Sequence, residues 1–126
     1  MKKIMNKPEN IIQEMLQGIE FACPDVKCFP SERVITRRNK KEKVGLVSGG
    51  GSGHEPAHGG YVGYGMLDAV VAGNVFASPS PDQMLKGIEE ANTGKGVLFI
   101  LKNYTGDKMN FAMAKDFAEN EGIEVE

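Results

Sequence analysis

Cysteine and histidine are scarce in this chain, and long apolar runs are absent. Of 126 residues only Cys23 and Cys28 are cysteine, in no recognisable metal or redox spacing, which predicts free thiols in a reducing cytoplasm. No stretch approaches the ~20 apolar residues of a membrane-spanning helix. The amino terminus begins with lysines but is broken by Asn6, Lys7, Pro8 and Glu9, so it lacks the apolar core of a secretion signal. The charge is balanced, 15 basic against 17 acidic residues, which offers no case for nucleic acid as a partner. The one basic run, Arg37-Arg38-Asn39-Lys40-Lys41, has no interleaved aromatics and reads as a solvated loop. No internal repeat or low-complexity tract is present. What remains is a chain of single-domain length, 40% hydrophobic, with bulk for one core.

Glycine is what the chain has in concentration. Half of its 16 glycines fall between Gly49 and Gly65, and both histidines, His54 and His58, sit among them. The apolar run Val44–Val47 leads into Ser48 and three consecutive glycines. Glycine costs backbone entropy, so such a cluster marks unusual backbone angles or close approach to a ligand. A histidine and a carboxylate follow directly, the layout of a small-molecule site at a strand end.

Two familiar motifs are excluded here. His54-Glu55-Pro56-Ala57-His58 matches the zinc pattern H-E-x-x-H, which needs both imidazoles on one face of a continuous helix. Pro56 argues against that helix, because proline inside one costs about 3 kcal/mol and pushes the preceding residue toward extended backbone. A helix starting at Pro56 leaves His54 outside it. Only Asp68 is at hand as a third ligand, and no metal site is expected. Gly49–Gly53 could present backbone amides to phosphate, but His54 stands where a phosphate loop needs lysine.

Periodicity predicts a helix opening at Pro8, capped by Asn6 or Lys7, with Ile11, Ile12, Met15, Leu16 and Ile19 on one stripe. A short extended segment is expected within 27–35, and strands at Val44–Val47 and Ala69–Ala72. A helix begins at Pro81-Asp82, with Met84, Leu85, Ile88 and Ala91 facing inward. Val97–Leu101 is apolar without alternation, as in a strand covered on both faces. A last helix after Asp107 contains Phe111, Met113, Ala114 and Phe117, ends at Gly122, and leads into a strand at Ile123–Glu126. The order strand, helix, strand, helix, strand, helix, strand predicts an α/β fold with an open, mostly parallel sheet and helices on both faces. Ligands of such folds bind beyond the carboxyl ends of the strands.

Three loops occupy that edge: Ser48–His54, Phe76–Asp82 and Lys102–Asp107. Histidine is the side-chain type whose unperturbed pKa lies near neutrality, which makes His54 an acid/base candidate; Asp107 can take a proton or orient a hydroxyl, and Lys102 and Asn103 can position a carbonyl. Gly50, Gly51 and Gly53 would let a small polyol approach backbone amides. The plainer alternatives are a turn histidine, a helix N-cap at Asp107 and a solvated strand end at Lys102.

The blocks Ser48-Gly-Gly-Gly-Ser52-Gly-His54-Glu-Pro56, His58-x-Gly60-Tyr61-x-Gly63, Phe76-Ala-Ser-Pro-Ser-Pro-Asp82 and Lys102-Asn-Tyr-Thr-Gly-Asp107 resemble the dihydroxyacetone kinase family. The resemblance is to its substrate-binding K subunit and runs from the N-terminal helix to Glu126. It implies phosphoryl transfer to a hydroxyl of dihydroxyacetone, with His54 and Asp107 as the acid/base pair. It implies substrate binding by Gly50, Gly51, Ser52, Gly53 and Lys102. No cofactor is expected in this chain. ATP with Mg²⁺, or a tightly held ADP recharged by the sugar phosphotransferase system, belongs to a separate nucleotide-binding subunit or domain. A cytoplasmic homodimer is the family expectation. Family K subunits are much longer and carry a later histidine that binds the ketone covalently. This chain has no histidine after His58, so residues 1–126 read as the N-terminal part of that domain, inactive in isolation. Some family paralogues instead sense dihydroxyacetone as transcriptional coactivators.

Overall fold

The computed structural model describes residues 2–126. One five-stranded sheet carries helices on both faces. Strands β1 (Val26–Phe29) and β2 (Val34–Arg37) form an antiparallel hairpin, β3 is Gly45–Ser52, β4 Ala69–Val75 and β5 Val97–Ile100. The spatial order is β1-β2-β4-β3-β5, with β2 antiparallel to β4 and with β4, β3 and β5 mutually parallel. Helices α1 (Ile11–Ala22), α2 (Pro81–Ala91) and α3 (Thr105–Asn120) complete the layers.

The period-2 alternation of the strands divides the apolar residues between two cores. Val47, Ala69, Val71, Val97 and Phe99 face α2 and α3, where Met84, Ile88, Ala91, Ala114 and Ala118 meet them. Val26, Cys28, Ile35, Val70 and Ala72 face α1 through Ile12 and Leu16, with Ile11, Met15 and Ile19 alongside. The expected inner faces of α1 and α2 are therefore in place. In α3 the apolar residues that turn inward are Phe111, Ala114 and Ala118; Met113 and Phe117 are exposed. The start of α2 is fixed by a capping box, in which Ser80 accepts from the Gln83 amide and Gln83 accepts from the Ser80 amide. Gly122 adopts φ 81° just past α3, and Ile123 then donates back to the Ala118 carbonyl, the turn that frees the chain to return. Val125 bridges Val97 in parallel, so the strand expected at Ile123–Glu126 starts along the free edge of β5.

Four expectations need correction. Strand β5, expected to be covered on both faces, buries Val97 and Phe99 but leaves Leu98 and Ile100 exposed. The extended segment within 27–35 is a hairpin of two strands, turning through Arg33 at φ 60°. The strand expected to stop at Val47 continues through the glycines to Ser52, because bare backbone is what lets it lie against its neighbours. A Cβ on Gly49 would sit 2.6 Å from the Val71 carbonyl oxygen. Finally, no helix joins β3 to β4 among the described residues, only turns and a 3₁₀ turn at Gly59–Tyr61.

Candidate active site

The winding of the chain changes sides at β3, whose two neighbours are reached by connections on opposite faces of the sheet. The connection leaving β3 packs on the α1 face, where a Cβ on Gly59 would meet the Ile35 and Ile19 side chains, and leads to β4 on one side. The connection leaving β4 runs through α2 on the opposite face and arrives at β5 on the other side. A crevice therefore opens beyond the carboxyl end of β3, the position where open α/β sheets bind ligands.

A cleft of about 290 Å³ occupies it, lined by Gly51, His54, Phe76, Ala77, Ser78, Lys102, Tyr104 and Asp107. Three segments far apart in sequence build it. Ser52 carries the end of β3 to β4 by donating its hydroxyl to the Gly73 carbonyl at 2.8 Å, and its own carbonyl accepts from the Phe76 amide at 2.9 Å. Asn110 of α3 donates to the Pro79 carbonyl at 2.8 Å, which ties the Phe76–Ser80 loop to the third segment. The Ser48 hydroxyl donates to the Ile100 carbonyl at 2.8 Å, holding β3 to β5 just below the cleft.

Asp107 is 2% exposed and lies in the first turn of α3. Tyr104 is the N-cap, so Asp107 is not the cap that its position before a helix allows; it points into the protein. Its Oδ2 lies 3.9 Å from Lys102 Nζ, and its Oδ1 is buried with no hydrogen-bond partner. Buried carboxylate oxygens are ordinarily satisfied, so an open one in a residue that lines the cleft leaves room for a donor. Lys102 lies with its ammonium 5.4 Å from the Tyr104 ring centroid and its tail across Gly50. Gly50, at φ 153°, has no room for a Cβ beneath that tail.

His54 is exposed and set edge-on to Phe76, ring centroids 5.2 Å apart. Gly53 at φ 107° lies under the same ring, where a Cβ would meet it at 2.9 Å. Glu55 is taken up by the Gly53 amide, at 3.0 and 3.1 Å to its two oxygens. His54 and His58 share no helix, and among the described residues no three His, Cys, Asp or Glu side chains converge on one point.

Gly51, His54, Lys102 and Asp107 thus meet at one cleft. Gly50 and Gly53 frame it from beneath Lys102 and Phe76, and the Ser52 hydroxyl is spent on the sheet. Sequence reasoning left out His58, whose Cε1 would lie 3.3 Å from a Cβ on Gly50. Burial first, then the Lys102 cation and His54, hold its imidazole below the usual histidine range. It also missed Phe76 and Ser78, although both lie in a block that the sequence does single out. A second, apolar cavity of about 250 Å³ lies behind Gly50 and Gly51, against Met15, Ile19 and Ile35, and offers a polar ligand little to bond.

The Dak1 domain family matches residues 17–126. The chain belongs to the Dak1 family. Among curated Dak1 relatives, it is 56% identical over 128 residues to the "PTS-dependent dihydroxyacetone kinase 1, dihydroxyacetone-binding subunit DhaK" of Listeria innocua, covering 100% of this chain and 39% of that protein. It is 41% identical to the "PEP-dependent dihydroxyacetone kinase, dihydroxyacetone-binding subunit DhaK" of Escherichia coli, over 99% of this chain and 36% of that one. Among solved Dak1 structures, the dihydroxyacetone kinase of C. freundii superimposes with a TM-score of 0.91 at 40% identity, over 99% of this chain and 24% of that one. The "Dihydroxyacetone kinase operon co-activator Dha-DhaQ" superimposes with a TM-score of 0.86 at 45% identity, over 90% and 35%. The Dak1 chain thus spans well under half the length of these relatives. Among the described residues no helix is long and apolar enough to cross a membrane.

Proposed function

We propose that this chain forms the substrate-binding cleft of a dihydroxyacetone kinase, the part that holds dihydroxyacetone while one hydroxyl is phosphorylated. The observation that carries this reading is the unpartnered, buried Oδ1 of Asp107, a residue that lines a cleft with Lys102 at the switch point of the sheet. A substrate hydroxyl is the donor that oxygen lacks. Asp107 and His54 then serve as the acid/base pair, accepting the hydroxyl proton as the oxygen attacks; a well-placed base contributes about 10²–10⁴ in rate. Lys102 donates to the substrate oxygen, and Gly51, with no room for a Cβ against the Phe76–Ala77 backbone, lines the cleft beside it. Gly50, Ser52 and Gly53 shape the backbone of that wall. The rest of the catalysis in phosphoryl transfer is positioning and charge stabilisation. It belongs to a nucleotide-binding subunit or domain that carries ATP with Mg²⁺, or ADP recharged by the phosphotransferase system. The relative named as phosphotransferase-dependent at 56% identity supports the second donor. A cytoplasmic homodimer completes the reading.

The test is an amide NMR titration with dihydroxyacetone, with glycerol and zinc in parallel. Shifts clustered at 49–54 and 102–107 with dihydroxyacetone are expected. A well-dispersed spectrum that dihydroxyacetone leaves unchanged would sink the proposal for this chain. The co-activator neighbour supports a second reading, a dihydroxyacetone sensor without turnover. Phosphorylation of dihydroxyacetone on addition of a nucleotide-binding kinase subunit separates the two.

A further inference from the structure

We propose that His58 is a positioning residue for Lys102: across the bare Cα of Gly50 its imidazole edge backs the lysine tail and keeps the ammonium aimed into the cleft. Three observations carry this. First, the space a Cβ would fill on Gly50 is shared by both side chains, overlapping Lys102 Cε and Nζ and lying 3.3 Å from His58 Cε1. The glycine is thus the floor on which the two groups meet. Second, His58 forms the partition between two cavities. It lines the apolar one with Met15 and Ile35, and a groove of about 320 Å³ with Ser48, Ile100 and Lys102. A half-buried imidazole in that wall stops Lys102 from folding back away from Asp107. Third, among the described residues Asp107 is the one ionic partner of Lys102, and at 3.9 Å that pair is too long to fix the ammonium alone.

The charge of the imidazole matters as much as its bulk. The groups acting on His58 are Lys102 and His54, which disfavour its protonation, and Asp107 and Glu55, which favour it; burial tips the balance toward the neutral form. Neutral, it can rest against an ammonium. Protonated, it would put a second cation on the same glycine and drive the lysine out of the cleft.

This role rests on the kinase reading, and the test separates the two. Without substrate, the Lys102 ε-methylene resonances are followed against pH in the wild type and in His58→Phe, which keeps a neutral ring of similar size. An inflection below pH about 6.5 is expected in the wild type and not in the variant. His58→Gln provides the same comparison if the phenylalanine does not fold. In the intact kinase, with its nucleotide-binding partner supplied, His58→Ala should raise the KM for dihydroxyacetone about tenfold and change kcat less than about twofold, the pattern of lost ground-state binding. His58→Gln should restore part of it. An inflection that survives in both His58→Phe and His58→Gln, or an unchanged KM in His58→Ala, overturns the proposal. A kinase that ignores dihydroxyacetone while the inflection still vanishes in His58→Phe refutes the function and upholds the contact.

Discussion

Asp68 and Asp107 are buried to the same degree, 3% and 2% exposed, at opposite edges of one sheet, yet their surroundings are opposites. Asp68 sits where β3 and β4 begin. It accepts from Arg37 at 3.0 Å, from the Leu46 amide at 2.9 Å and from Lys43. Burial works against its ionisation, but Lys43, the Leu46 amide and Arg37 outweigh that and hold its carboxyl below the usual carboxylate range. Asp107 sits where β3 and β5 end, with one distant cation and one oxygen left open. A carboxylate whose partners are all protein groups serves the fold; the one left unfinished beside a cleft is the group on which the proposed substrate site rests. The difference lies in the partners, since burial is the same.

The comparison can be broken most sharply by neutralising each carboxylate. On the proposed kinase function, Asp107→Asn is expected to lower turnover of the intact enzyme by about 10²–10⁴ and to leave the urea midpoint unchanged or slightly raised, since it removes a poorly paired buried charge. His54→Gln should fall in the same range. Asp68→Asn should do the reverse. It strands Arg37 in the interior and costs about 3 kcal/mol in urea unfolding, at the lower end for a broken buried pair because Lys43 retains contact with water. A large loss of activity with intact stability in Asp68→Asn would undo the contrast.

Glycines at the two ends of β3 sharpen it next. Gly45→Ala puts a Cβ 2.5 Å from the Ala91 carbonyl oxygen and should cost about 1–3 kcal/mol of stability without changing KM. Gly50→Ala collides with the Lys102 tail and should raise the KM for dihydroxyacetone, read from steady-state kinetics. Acid titration is a smaller effect. The folded carboxyl of Asp68 is depressed, so the stability it contributes is present above the unfolded carboxylate pKa, about 3.9, and is lost as pH falls through the lower folded value. The wild type should therefore weaken more steeply than Asp68→Asn over that window in pH-dependent thermal melts. Least of all, a thiol reagent near neutral pH should label exposed Cys23 and spare Cys28, whose thiol burial and Glu20 push up to about 11.

Much of this was legible in the linear pattern. The 3.6-residue stripes of α1 and α2 put their apolar residues on the core, Pro81-Asp82 marked a helix start, and Gly122 marked an end. The family motifs picked out Gly51, His54, Lys102 and Asp107, which do line one cleft. Less legible was the course of β3 through Gly49–Ser52, because glycine has low strand propensity when read alone. The hairpin at Val26–Arg37 was also blurred. Its turn runs through Arg33, a left-handed residue whose type gives no local signal. His58 was passed over as half of a discounted zinc motif.

Local chemistry determined which residues could do acid/base work and which segments were helices or strands. Periodicity and glycine placement act over a few residues, and sequence records them directly. Tertiary structure alone decided that Asp107 is left with an open oxygen while Asp68 is not, and that Lys102 and His58 both lie near the bare Cα of Gly50. Those outcomes depend on strands β3, β4 and β5 being brought side by side. Whether a buried polar group is satisfied is a property of its neighbours in space, and 44 residues separate Lys102 from His58 along the chain.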